Sequence, residues 1–87
     1  MINELFETLQ RAERKNQNVT IIERASAKVV RIHDVKINGY GYKIWLSCGY
    51  TMLIPHGDYV NFEQHGDKKF FFVTSNGSPN FVTTFIF

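Results

Sequence analysis

Residues 29–48 read VVRIHDVKI, then Asn38-Gly39, then YGYKIWLSC. Two β-biased runs flank the dipeptide that most strongly signals a two-residue hairpin, because both central positions of a type I′ turn need φ > 0 and Asn and Gly tolerate it. With Asn38 and Gly39 as the turn, Ile37 faces Tyr40, Val35 faces Tyr42, His33 faces Ile44 and Arg31 faces Leu46 on one side of the sheet. The other side pairs Lys36 with Gly41, Asp34 with Lys43, Ile32 with Trp45 and Val30 with Ser47. The opposed Asp34 and Lys43 favour this register, since unlike charges across a ladder help modestly.

This register puts Val29, Val35, Ile37, Tyr40, Tyr42, Ile44, Leu46 and Cys48 on the inward face, with Arg31 and His33 among them. An unpaired buried Arg costs several kcal/mol, so the chain must resolve the conflict. A β-bulge near His33-Asp34 would turn Arg31 and His33 outward and bring Val30 and Ile32 in. Alternatively, Arg31 pairs with Glu23 or Glu63, or Arg31, His33, Tyr40 and Tyr42 line a pocket for an anion or a planar ligand. Trp45 poses the opposite problem, sharing the wet face with Lys36, Lys43 and Asp34. It is either covered, together with Ile32, by a helix carrying Leu5, Phe6 and Leu9, or it is a stacking platform for bases or an anchor for a protein partner.

Outward from the hairpin, residues 3–16 carry Leu5, Phe6, Leu9 and Ala12 at helical spacing, extended by Ile2, with Asn3 as cap and Asn16-Gln17-Asn18 as stop. Short β-biased runs follow at 19–24, 50–54, 59–64, 69–74 and 81–87, separated by Gly, Pro, Asn and Asp turns. The predicted fold is a single α+β domain over residues 1–87. An N-terminal amphipathic helix (3–16) packs on a strongly curved antiparallel sheet or small barrel of six to seven short strands (19–87). The last run, Phe81 to Phe87, carries no charge and reads as a free edge that would pair with another strand.

Thirteen aromatics, twelve of them from Tyr40 onward, mark the C-terminal part as sheet, and a formal charge of +2 is weak for a duplex-binding domain. The one cysteine permits a reducing compartment, no apolar run approaches a membrane span, and the acidic, polar start does not resemble a secretory signal. These features predict a cytoplasmic protein with no membrane partner.

Motifs for chemistry are missing. His-Gly-Asp occurs at 56–58 and 65–67, yet an extended strand between the two histidines separates them by roughly 30 Å, too far to share an ion. Cys48 and His33 would lie more than about 10 Å apart along the strands, outside hydrogen-bond reach. Gly39-Tyr40-Gly41 leads into no helix, unlike a phosphate-cradling loop. The sequence therefore predicts no catalytic residue, no metal and no cofactor. It predicts a non-enzymatic binding protein, most simply a homodimer, that occupies a protein partner. By analogy alone, phages and mobile elements encode inhibitors or accessory factors of this kind. The alternative is a nucleic-acid or nucleotide-binding module. The candidate contact residues are Arg31, His33, Lys36, Tyr40, Tyr42, Lys43 and Trp45.

Overall fold

The computed structural model describes residues 2–78 and 80–87, with side chains from Glu4 onward. One helix, α1 (Ile2–Arg14), precedes seven strands: β1 (Asn18–Glu23), β2 (Ser26–Ile37), β3 (Gly41–Leu46), β4 (Thr51–Pro55), β5 (Tyr59–His65), β6 (Lys68–Thr74) and β7 (Val82–Ile86). The strands form one antiparallel sheet in the order β4-β3-β2-β1-β7-β6-β5. β4 and β5 follow one another in the chain but stand at opposite edges, so the sheet curls without closing into a barrel. The last strand corrects an expectation: β7 pairs with both β1 and β6, so it is no free edge.

Leu5, Leu9 and Ala12 recur on one face of α1 and are buried where the helix crosses β2 and reaches β5. The expected contributions of the Ile2 and Asn3 side chains lie outside the described residues. The helix ends in a Schellman motif, with Asn16 at φ 53°, Gln17 N–H donating to the Ala12 carbonyl at 2.9 Å and Asn16 N–H to the Glu13 carbonyl at 3.2 Å. Asn is among the few side chains that tolerate this conformation, which is why the stop falls there.

The inner sheet face supplies Val19, Ile21, Val30, Ile32, Val35, Tyr42, Ile44, Leu46, Ile54, Phe71, Val73 and Phe85 to a single core cluster with the helix stripe. Seven strands curled around one short helix bury all of these because the sheet covers most of itself. Among the described residues no helix is long and apolar enough to cross a membrane.

At the start of β3, Gly41 lies directly beneath β4, opposite Pro55. A Cβ added there would run into the Ile54 carbonyl, whereas one at Gly39 meets nothing within 4 Å. Gly41→Ala should therefore lower the unfolding free energy by ~1–3 kcal/mol, the usual cost of overpacking, while Gly39→Ala changes it by under about 0.5 kcal/mol; urea denaturation reads both.

Candidate functional site: the outer sheet face

The β2–β3 hairpin forms, but not in the expected register. Ile37 faces Tyr42, Lys36 faces Lys43, Val35 faces Ile44 and Asp34 faces Trp45. The cause is the Asn38 side chain, whose Oδ1 accepts from Tyr40 N–H at 2.8 Å and Gly41 N–H at 3.0 Å. Asn38 thereby stands before the turn, its N–H donating to the Gly41 carbonyl at 2.8 Å, and Gly39-Tyr40 become the central pair. The expected Asp34–Lys43 pair is replaced by two opposed lysines. Asp34 instead lies 3.7 Å from Lys36 on its own strand and accepts from Val35 N–H at 2.9 Å.

Between Ile32 and Asp34 the register shifts: Ile32 faces Leu46 while Asp34 faces Trp45, leaving His33 as the extra residue of a bulge. Val30 and Ile32 are accordingly buried, and Arg31 and His33 stand in water. The bulge also reverses the faces on its N-terminal side, so Val29, expected inside, is 65% exposed. Beyond it, Ser47 holds Arg31 by the backbone, accepting from Arg31 N–H through its Oγ at 3.0 Å and donating its own N–H to the Arg31 carbonyl at 2.9 Å.

Arg31, His33, Lys36, Lys43 and Trp45 thus share the outer face, away from α1. The helix covers Ile32 but not Trp45, leaving the indole half-buried. The Lys43 ammonium stands 5.2 Å from the Trp45 ring centre. Leu53, 51% exposed, faces Lys43 from β4. Three cations and one carboxylate therefore share this open face with the indole, Lys43 against its ring and Asp34 opposite it in the ladder.

Two candidate residues do not join them. Tyr42 belongs to the core: it is 2% exposed, stacks on Phe6 at 4.9 Å and meets the His56 ring edge-on at 5.8 Å. The expected pocket with Arg31 and His33 does not form, because Tyr42 points to the opposite face. Tyr40 sits at the hairpin tip, 81% exposed, remote from the core it was expected to join. Ile37 and Cys48 likewise stand in water, Cys48 in the β3–β4 turn, where Gly49 at φ 85° closes the reversal. His56 contacts the Asn38 carbonyl at 2.9 Å through Nε2, and His65 contacts Glu63 at 3.0 Å, so the two His-Gly-Asp turns serve separate neighbourhoods.

Sequence reasoning missed a second patch on the outer face. Phe70, Phe72, Ile22 and Ile86 stand there half-buried beside Val29, with the Phe70 and Phe72 rings 6.3 Å apart and nearly parallel. The alternation in KKFFFVT was a usable signal: with Phe71 and Val73 inside, Phe70 and Phe72 must point out.

The extra residue of a bulge is the one a strand can lose. Deleting His33 leaves an unbroken alternation from Val30 to Val35 with every side chain on its present face. The shortened chain should still unfold cooperatively in urea, at a cost of about 1–2 kcal/mol, whereas deleting Lys43 sends Tyr42 and Ile44 to opposite faces and should abolish the transition. Burial raises the Tyr42 pKa above the ordinary tyrosine value. The unfolded chain then ionises first, so this contribution is intact below about pH 10 and declines above it; between about pH 9 and about pH 11 the wild type should lose more stability than Tyr42→Phe. No protein-family model, curated protein or solved structure matches the chain.

Proposed function

We propose that this protein is a non-enzymatic binding module that acts, as an inhibitor or accessory factor does, by occupying a protein partner with the outer face around Trp45. The observation that carries this reading is Trp45 itself: an indole on the sheet face opposite the helix, with Lys43 against its ring and Arg31 and Lys36 on the same face. A rigid aromatic anchor inside a charged rim is the anatomy of an interface hot spot. The partner it fits presents an apolar notch for the indole within an acidic border. An exposed Cys48 as the only cysteine suits a reducing, cytoplasmic setting.

A second reading is favoured by the opposed Lys36 and Lys43. Like charges across a ladder destabilise it, and a phosphate between them would relieve that repulsion while a base stacked on Trp45. Asp34, beside Lys36 and facing Trp45, weighs against this reading.

Co-purification from the native host, followed by mass spectrometry, identifies what is retained. A protein partner should bind Trp45→Ala at least about 30-fold more weakly, with a shallow dependence on salt. A mixed-sequence oligonucleotide bound in its place, losing affinity steeply as salt rises, would replace the first reading with the second. Retention unchanged by Trp45→Ala would overturn both.

A further inference from the structure

We infer that the outer face of β6, β7, β1 and the first half of β2 packs against the same face of a second copy of this chain. Across these strands the outward side chains fall into two rows. Phe70, Ile86, Thr20 and Val29 make one; Phe72, Thr84, Ile22 and Ala27 make the other. None of the eight is charged and α1 lies on the opposite face; among the described residues only the His65 ring, edge-on to Phe70 at 5.3 Å, is seen against them. Phe and Ile packed on the outer side of a sheet normally have a second layer.

The occupant follows from the pattern. Two sheets that meet by the same face are related by a two-fold axis lying between them, and here that axis runs along the strands, between β7 and β1. It reverses the strand order while keeping each row in place. Phe70 then lies over Val29 of the second copy, Phe72 over Ala27, Ile86 over Thr20 and Ile22 over Thr84. Each large side chain meets a smaller one, so the face is complementary to itself, as a two-fold interface requires. An axis across the strands would instead stack Phe70 on Phe72 at one end and Ala27 on Val29 at the other, leaving a wedge.

The extent is that of a small interface. From β6 to β2 the face is roughly 19 Å wide and, with the row of Thr74 and Val82 included, roughly 20 Å long, on the order of 400 Å² in projection. Side-chain relief brings the accessible area toward the lower end of the range around the roughly 800 Å² per partner of a standard interface. A polyanion does not fit here, because the two rows offer it no cation. Charges stand only around the rim: Glu63 beside Phe70, Arg24 over the Phe81 ring, and Lys68, which the same axis brings toward Arg31 of the second copy, a repulsion that water and salt screen.

Sedimentation velocity of the full chain at micromolar concentrations should give a species of twice the 10.1 kDa chain mass. Ile22→Glu should weaken association at least about 100-fold, because it presses a carboxylate into an apolar layer. Mixed in equal amounts with Thr84→Lys, it should associate again, since the carboxylate introduced in one copy then meets the ammonium introduced in the other. Thr20→Glu mixed with Ile86→Lys repeats the design at the second contact, and Thr20→Glu alone, at a position already polar, reads the weakening if Ile22→Glu unfolds. Lys68→Glu turns the rim repulsion into attraction and should tighten the dimer several-fold. A monomeric wild type, a dimer indifferent to the inner variants, variants that stay apart when mixed, or a Lys68→Glu dimer no tighter than the parent would each overturn the proposal. Binding through Trp45 is read separately by Trp45→Ala, which leaves both rows intact.

Discussion

One extra residue in β2 decides which side chains this protein shows to water. If His33 were held in a regular ladder, the alternation that buries Val35 would carry Arg31 into the core and expel Val30 and Ile32. The cost of a buried, unpaired guanidinium far exceeds that of one unpaired backbone step, so the strand breaks its own period. The break falls where the twelve-residue β2 passes from its pairing with β1 to its pairing with β3. The same residue therefore sorts the side chains and marks the bend about which the sheet curls.

Much of this was legible in the sequence, and the reasons differ by element. The helix and a count of six to seven strands followed from periodicity, and a bulge was one of three resolutions raised by the conflict around Arg31. The hairpin register did not, because Asn38 could serve either as a turn residue with positive φ or as a side-chain acceptor placed before the turn. It serves as the acceptor. Moving the pairing by two residues keeps every side chain on its face, so Val35, Tyr42, Ile44 and Leu46 are buried despite the different partners. The place of β7 was hidden for another reason: its partner β1 lies some sixty residues away, and local pattern carries no trace of so distant a pairing.

The candidate site shows the same division. Arg31, His33, Lys36, Lys43 and Trp45 come together because hairpin alternation and the bulge put them there. Tyr42 does not, because aromatic character alone fails to distinguish a contact residue from a core ring stacked on Phe6. The outer uncharged rows across β6, β7 and β1 depend on strand order, and only the assembled sheet reveals that Phe70, Ile86 and Thr20 are neighbours.

Pairing β7 with β1 has a consequence for biosynthesis. Ile21 and Phe85 face one another across that ladder and are both fully buried, so the core gains its central contact only after Phe85 has left the ribosome. Until then the apolar interior of a nascent chain stays open. Folding of this domain is thus a post-emergence event, and a translational pause before residue 82 would prolong exposure to chaperones rather than yield a partly finished sheet.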